Sequence, residues 1–128
     1  MRLLIDTHAF IWFCEGNAAM SDPARAAMED SANERFVSQA TPWEIAIKLS
    51  LGKLRLNSDF ATIFPGVVAA NGFTMLPPAF EHYRALLSLP RHHGDPFDRL
   101  IIAQAEVEGL TIVTSDPHFS AYGTPLLW

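Results

Sequence analysis

Apolar residues along the chain fall into two kinds of segment, which predict two kinds of element. Short and nearly continuous apolar runs, typical of strands buried on both faces, occupy residues 3–5, 36–37, 73–76 and 110–113. Longer segments with helical spacing lie between them, at residues 8–15, 21–33, 41–51, 59–70, 78–87 and 96–108. A further short strand is predicted within residues 124–128. Alternating strands and helices predict an α/β domain with a mainly parallel central sheet of four to five short strands flanked by helices.

The length and composition predict one domain. The 128 residues, 49% of them hydrophobic and 18% charged, suit a single globular core over residues 1–128. A lone cysteine, Cys14, leaves no internal disulfide to form, which fits a reducing cytoplasm. No apolar run approaches the roughly 20 residues that a membrane span requires. Asp6 and Glu15 interrupt the apolar amino terminus, which argues against a signal peptide, and we therefore expect a cytoplasmic protein.

The net charge restricts the function classes. Nine Lys and Arg against 14 Asp and Glu give a formal charge of −5 at pH 7. This balance excludes a nucleic-acid binder that is basic overall. A nucleic-acid enzyme remains open, because metal ions and a local basic patch can contact phosphate.

Four acidic residues follow predicted strands or begin predicted helices. Asp6 directly follows the first strand and Asp116 closely follows the fourth, while Glu44 and Asp98 lie near the starts of two predicted helices. In a parallel sheet these places share one edge, where the carboxyl ends of the strands meet and where sites form. The pattern therefore predicts a cluster of carboxylates.

Each acid also has a purely structural interpretation. Thr41-Pro-Trp-Glu44 fits a capping box with Thr41 at the N-cap and Glu44 at N3, and Asp95-Pro-Phe-Asp98 fits the same pattern. The two acids at strand ends are equally suited to cap the elements that follow them. Capping explains poorly why four carboxylates should gather, because like charges repel and raise each other's pKa.

The types of residue in this cluster indicate which metal it would bind. A site rich in carboxylates and poor in histidine and cysteine suits a hard cation such as Mg²⁺ or Mn²⁺. Zinc is disfavoured, since its usual ligands would have to come from one Cys and five scattered His. One or two such cations can activate water and neutralise charge on a phosphodiester, which points to metal-dependent hydrolysis.

Four segments carry a resemblance to a known family. They are Leu-Leu-Ile-Asp6-Thr7-His8, Thr41-Pro-Trp-Glu44-Ile-Ala, His93-Gly-Asp95-Pro-Phe-Asp98-Arg99-Leu-Ile-Ile-Ala103 and Val-Thr114-Ser-Asp116. Together they resemble the PIN domain and, more narrowly, the VapC-type toxin ribonuclease of a VapBC toxin–antitoxin pair. The resemblance runs from about residue 2 to the end of the chain, and Asp-Pro-Phe-Asp-Arg-Leu is its most specific piece.

The resemblance implies a fold, an activity and partners. It implies a three-layer PIN-like domain that cleaves RNA with a metal-activated water. The metal-binding and catalytic acids would be Asp6, Glu44, Asp98 and Asp116. Homodimerisation and neutralisation by a cognate VapB-like antitoxin also come with the family, and we expect an antitoxin helix near Trp12 or Trp43.

Several further residues are expected to support the site. The set is Thr7, Asp95, Arg99, Thr114 and Ser115. Asp95 is interpreted as a helix cap, because Asp98 is the acid followed at the family's spacing by Ala103. Thr114 or Ser115 is expected to orient metal-bound water.

Basic residues and histidines have more open interpretations. Arg99 is expected to pair with a site carboxylate or to steer phosphate. Lys48, Lys53 and Arg55 form either a stripe that positions phosphate or an ordinary solvated face. The histidines at 92–93 are interpreted as a solvated loop pair, with contact to RNA or a general-base role as the alternative.

Other functions compete with the toxin ribonuclease. A housekeeping PIN nuclease without an antitoxin would carry the same acids. A haloacid-dehalogenase-like phosphatase is disfavoured, because the position two residues after Asp6 is His8 and not a second aspartate. A receiver-type regulatory module is disfavoured because Asp6 has no acidic neighbour, and a PIN domain kept only as a scaffold would have lost at least one acid.

Overall fold

The computed structural model describes residues 1–128 and contains one sheet of five parallel strands. The strands are β1 (Arg2–Ile5), β2 (Glu34–Ser38), β3 (Thr74–Leu76), β4 (Thr111–Val113) and β5 (Leu126–Leu127). Their order across the sheet is β3-β2-β1-β4-β5. In the register, Ile5 lies opposite both Val37 and Val113, so three strands end at nearly the same level.

Helices connect the strands and cover the sheet. They are α1 (Thr7–Glu15), α2 (Asp22–Glu29), α3 (Ala40–Ser50), α4 (Val68–Ala70), α5 (Phe80–Ser88) and α6 (Pro96–Glu108). A π-helical segment, Thr62–Val67, precedes α4, and a 3-10 helix, Pro117–Tyr122, follows β4. Both α1 and α6 end at a glycine with positive φ, Gly16 and Gly109, as helix termini often do. None of these helices has the length and apolar character needed to cross a membrane.

Two apolar cores lie on opposite faces of the sheet. In β1, Leu3 and Ile5 pack into one core and Leu4 into the other, as the alternation of side chains along a strand requires. The first core contains residues of α1, α2 and the segment before β3, whereas the second contains residues of α6 and the 3-10 helix. Helices on both faces of a parallel sheet form the three-layer α/β architecture that the sequence predicts.

Two predicted helices differ from the structure. The helix predicted at residues 59–70 is wrong as a continuous element, because Phe64 has extended dihedrals of φ −120° and ψ 112°. The following Pro65 disfavours the helical conformation at Phe64. The helix predicted at 21–33 ends at Glu29, where Asp30 turns out of it and accepts the Ala32 N–H at 2.9 Å.

The strand order creates a crevice beside β1. From β1 the chain adds β2 and β3 on one side of the sheet, and then returns to add β4 and β5 on the other side. The carboxyl ends of β1 and β4 are therefore adjacent at the point where the strand order reverses, and the Asp6 N–H donates to the Val113 carbonyl at 3.1 Å. Ligand sites in open α/β sheets form at this kind of position.

Candidate functional site

The four predicted acids meet at the carboxyl edge of the sheet. Asp6 follows β1 and Asp116 lies two residues beyond Thr114, which directly follows β4. Glu44 and Asp98 reach the same region from the amino-terminal halves of α3 and α6. The negative charges of the other three acids all act on the Asp98 carboxyl, so the site is a true electrostatic cluster.

Asp6 is a buried helix cap that is also bound to the next strand. Its Oδ1 accepts the Ala9 N–H at 2.7 Å, which caps α1. Its Oδ2 accepts a hydrogen bond from the Thr114 hydroxyl, whose oxygen in turn accepts the Asp116 N–H at 3.0 Å. Burial raises the pKa of Asp6, although the hydrogen bonds from Thr114 and Ala9 oppose the rise. Thr114 therefore links the two acids that follow β1 and β4.

The start of α3 does not form the expected capping box. The helix begins at Ala40, whose N–H is accepted by the Ser38 hydroxyl at 3.0 Å. Thr41 therefore lies inside the first turn, where its hydroxyl is 3.1 Å from that of Thr7. The capping-box interpretation of Thr41 and Glu44 is wrong, because the Gln39 N–H continues the sheet by bonding to β3 and the helix starts immediately afterwards.

Glu44 is fully buried and only half satisfied. Its side chain is 2% exposed, and Oε2 accepts a 2.6 Å hydrogen bond from the Lys48 ammonium one turn later. Its Oε1 is buried and has no hydrogen-bond partner. A buried carboxylate oxygen without a partner costs free energy, and a bound cation or a hydrogen-bond donor would remove that cost.

Asp95 and Asp98 divide the roles that a capping box would combine. Asp95 Oδ1 accepts the N–H groups of Phe97 and Asp98 at 2.9 and 3.0 Å, so it is the cap of α6. Asp98 does not bond back to the cap, and its Oδ2 lies 3.3 Å from His93 Nε2. Burial, followed by the charges of Asp95, Glu44 and the other acids, raises the pKa of Asp98 to about 8.

Asp116 is the most exposed of the four acids, with 26% of its side chain accessible. Its Oδ1 accepts the backbone N–H of His118 at 2.9 Å and so caps the 3-10 helix. The His118 Nδ1 atom lies 2.9 Å from the same oxygen. Capping and membership of the cluster thus coexist at Asp116, as they do at Asp6.

The sequence of the chain matches the PIN-domain family model over residues 3–124. The chain belongs to the PIN-domain family. No curated protein matches the sequence.

Solved structures with the same fold come from several bacteria. In VapBC2 from Rickettsia felis, bound to a DNA fragment from its promoter, the matching chain is 12% identical, with a TM-score of 0.72 over 99% of this chain and 98% of that one. VapBC-1 from nontypeable Haemophilus influenzae gives 14% identity and a TM-score of 0.67 over 99% and 97%. FitAcB from Neisseria gonorrhoeae gives 17% identity and a TM-score of 0.63 over 98% of this chain and 96% of that one. At these identities the likeness establishes a shared fold.

Lys48 lies within the acidic cluster of this PIN domain, whereas Lys53 and Arg55 are exposed. Burial lowers the pKa of Lys48, but its hydrogen bond to Glu44 and the charges of Glu44, Asp95 and Asp98 outweigh burial and raise the pKa above its ordinary value. The cluster therefore contains a cation of its own, which the strand-end pattern did not reveal. The i,i+4 spacing of Glu44 and Lys48 was the available signal.

Arg99 is not part of the acidic cluster, so the prediction that it pairs with a site carboxylate is wrong. Its guanidinium is buried and donates to the carbonyl oxygens of Pro90 at 2.7 Å and Leu89 at 3.1 Å. Adjacent residues on a helix point about 100° apart, so the Arg99 and Asp98 side chains leave α6 in different directions. Of the other supporting residues, Thr7 is buried against Thr41, and Ser115 is exposed without a side-chain hydrogen bond.

The sequence analysis missed two residues beside Asp98 and Asp116, which are His118 and Tyr122, and gave a third, His93, a functional role only as the alternative. His93 is 11% exposed and belongs to the site, so interpreting it as part of a solvated pair is wrong, whereas His92 is exposed. The ring of His118 stacks on that of His93 with centroids 5.2 Å apart and planes 10° apart. The Tyr122 hydroxyl lies 2.6 Å from His93 Nδ1. The Pro-His-Phe-Ser-Ala-Tyr segment after Asp116 contained no spacing that would have singled out these partners.

Proposed function

We propose that this PIN domain is a metal-dependent endoribonuclease, and that Asp6, Glu44, Asp98 and Asp116 are its metal-binding acids. The single observation that carries the proposal is the buried Glu44 Oε1, which has no partner although it lies in a cluster of like charges. A divalent cation would satisfy this oxygen and neutralise the cluster at once. Membership of the PIN-domain family supports hydrolysis of nucleic acid as the use of such a cation.

The donor set fits Mg²⁺ or Mn²⁺ in its chemistry, and loading the ion involves side-chain movement. All candidate ligands are carboxylate oxygens, which these hard cations prefer. As the side chains stand, no three acidic, histidine or cysteine groups are arranged to hold a metal ion. Lys48 is one-third exposed and bonded to Glu44, so its withdrawal into solvent is the movement we expect to free both oxygens of that carboxylate.

The residues of the chain have distinct tasks in this proposal. A bound Mg²⁺ or Mn²⁺ supplies an activated water and neutralises charge on the phosphodiester. Thr114 holds Asp6 and Asp116 in a fixed relation through its two hydrogen bonds. Asp95 fixes the first turn of α6 and with it the position of Asp98.

The test is cleavage of a mixed tRNA and rRNA pool by the purified chain. We expect cleavage with Mg²⁺ or Mn²⁺ and none in EDTA, with activity restored when the metal is added back. Glu44→Gln should be inactive in Mg²⁺ while remaining folded, because Gln keeps the shape of the side chain but lacks its charge. Undiminished cleavage in chelator would overturn the metal-dependent mechanism. Phosphatase activity on small esters without RNA cleavage would favour the phosphate-handling alternative.

We propose further that the chain is the toxin of a type II toxin–antitoxin pair and that it forms a homodimer. The support is the shared fold with chains of the VapBC and FitAcB complexes. An antitoxin would place a helix over the exposed Trp43 and the apolar groove beside it, and an Arg or Lys among the carboxylates. The groove is lined by Gln39, Pro42, Phe60, Phe64, Pro65, Val68 and Met75.

Co-expression with the product of a small adjacent gene tests the toxin proposal. We expect a stable complex whose nuclease activity is suppressed. If no such partner binds while the metal-dependent cleavage persists, the housekeeping nuclease is the correct function. The homodimer is tested separately by light scattering with Leu87→Glu, since Phe80, Tyr83 and Leu87 are exposed along α5.

A further inference from the structure

A chain of hydrogen bonds leads from the buried guanidinium of Arg99 to the carboxylate of Asp98. Arg99 Nη1 donates to the Tyr122 hydroxyl oxygen at 3.3 Å. The same hydroxyl lies 2.6 Å from His93 Nδ1, and His93 Nε2 lies 3.3 Å from Asp98 Oδ2. The hydrogen bonds therefore join a buried structural residue, Arg99, to an acid of the cluster.

The donors around Tyr122 determine which nitrogen of His93 carries the proton. The Tyr122 oxygen already accepts two hydrogen bonds, from Arg99 Nη1 and from the backbone N–H of His93 at 3.2 Å. A phenolic oxygen has no room for a third donor, so an N–H on Nδ1 of His93 would be aimed at a filled acceptor. The short 2.6 Å contact is satisfied when the Tyr122 O–H donates to a bare Nδ1. The proton of the imidazole then lies on Nε2 and points at Asp98.

The rest of the structure holds this arrangement in place. The His93 ring is 11% exposed and packs against both the Tyr122 ring, 5.4 Å away at 66°, and the stacked His118 ring. The Arg99 guanidinium also donates to the carbonyl oxygens of Leu89 and Pro90, which fixes the donor end of the chain of hydrogen bonds. The hydrogen-bond direction therefore runs from a rigid anchor toward the acid.

We propose that His93 is a positioning residue for Asp98, held as the Nε2–H tautomer by Tyr122 and Arg99. Its hydrogen bond occupies Asp98 Oδ2 and leaves Oδ1, which has no partner in the protein, as the oxygen presented for binding. The use of that oxygen for a metal rests on the proposed function, whereas the tautomer and the hydrogen bond do not. Residues that hydrogen-bond to a metal ligand orient that ligand and strongly affect the affinity for the metal.

The tautomer is tested directly by ¹⁵N-imidazole NMR of the metal-free protein. We expect His93 to show a protonated Nε2 and a bare Nδ1. In Tyr122→Phe the hydroxyl donor is gone, so this preference should be lost while the fold persists. A wild-type ring with its proton on Nδ1, or one that averages between tautomers, would overturn the proposal.

A matched pair of variants tests whether the hydrogen bond positions Asp98. His93→Gln places an amide near the former Nε2 and can still donate to Asp98, whereas His93→Asn reaches only the position of Nδ1. We expect the ¹³C shift of the Asp98 carboxyl in metal-free protein to change in His93→Asn and to remain close to wild type in His93→Gln. Mn²⁺ affinity should fall about 10-fold in His93→Asn and be largely rescued by Gln.

The control variant is His92→Asn, which removes an exposed histidine that packs edge-on against the Tyr122 ring, with centroids 4.9 Å apart, but forms no hydrogen bond in the chain. It should leave the Asp98 carboxyl shift and Mn²⁺ affinity unchanged. Equal behaviour of His93→Asn and His93→Gln, or no change in either, would reject the positioning role. If Mn²⁺ does not bind to the wild-type protein, the proposed function fails, and the two NMR measurements still decide the role of His93.

Discussion

The starts of α3 and α6 carry nearly the same sequence pattern and use it in different ways. Thr41-Pro-Trp-Glu44 and Asp95-Pro-Phe-Asp98 lie side by side, with the rings of Trp43 and Phe97 5.1 Å apart. In α6 the helix begins at the proline, so the preceding Asp95 caps it. In α3 the helix begins before the threonine and its first N–H bonds to the Ser38 hydroxyl, so the acid falls in its second turn.

The two acids also differ in how their charge is compensated. The residue four positions after Glu44 is Lys48, which forms an ion pair with it, whereas the residue four positions after Asp98 is the buried Ile102. Asp98 has only the hydrogen bond from His93, and burial together with the surrounding acids raises its pKa to about 8. Two similar sequence segments at helix starts therefore contain acids in different electrostatic states: Glu44 is paired with a cation, whereas Asp98 tends to keep its proton.

The largest expected effect is the loss of RNA cleavage when either acid is replaced by its amide, because both acids are proposed to bind the metal despite their different surroundings. If both are metal ligands, Glu44→Gln and Asp98→Asn should each lower RNA cleavage in Mg²⁺ by at least ~100-fold. Replacing a residue that only hydrogen-bonds to a metal ligand already costs up to about 100-fold in activity, so loss of the ligand itself should cost at least as much. Initial cleavage rates measured beside the melting temperature of each variant give the answer. A folded variant that cleaves at the wild-type rate would remove its acid from the site.

The next effect concerns the ion pair that only α3 possesses. Lys48→Met leaves the buried Glu44 carboxylate without its partner and should lower the free energy of unfolding by about 1–3 kcal/mol in EDTA. The double variant Glu44→Gln/Lys48→Met should recover most of this loss, because the unpaired charge is gone. Urea unfolding measures the free energy of unfolding of the single and the double variant, with Lys53→Met as a control at an exposed lysine. Equal stability of the two single Lys variants would show that the pair contributes nothing.

The sequence predicted the architecture well because the spacing of apolar residues reflects which positions are buried, and because glycines mark where helices end. The apolar runs that became β1 and β4 are buried, and glycines end α1 and α6 where the helical spacing stops. The helix at residues 59–70 was predicted in one piece because its apolar residues have helical spacing, but Pro65 acts on the conformation of Phe64 and breaks it.

The contents of the site were harder to predict, because they depend on contacts between distant segments. Convergence of the acids follows from the strand order, and the strand-end rule anticipates it. Arg99 is adjacent to Asp98 in sequence, yet it bonds to carbonyl oxygens of the preceding loop. His93 and Tyr122 are 29 positions apart, and no local pattern indicates that they touch.

A smaller effect follows from the raised pKa of Asp98. Its folded-state pKa of about 8 lies above the ordinary value of 3.8, so the folded protein binds a proton that the unfolded chain releases over this interval. The stability contributed by this proton is fully present below the ordinary pKa and is lost as the pH rises through about 8. The melting temperature in EDTA should therefore fall more steeply with pH in wild type than in Asp98→Asn. Parallel pH profiles would contradict the raised pKa.

The smallest expected effect separates the cap of α6 from the ligand beside it. Asn caps helices about as well as Asp, so Asp95→Asn should change the free energy of unfolding by only about 0.5 kcal/mol, whereas Asp95→Ala should cost about 1 kcal/mol. Cleavage by Asp95→Asn in Mg²⁺ should stay near the wild-type rate, because the carboxylate bonds to the helix backbone. Of the neighbouring charges, that of Asp95 acts most strongly on Asp98, so a ¹³C-carboxyl titration of the metal-free variant should give a lower pKa for Asp98 than in wild type. If Asp95→Asn instead abolished cleavage as Asp98→Asn is expected to do, Asp95 would have to be counted among the metal ligands, and α6 would supply two acids where α3 supplies one.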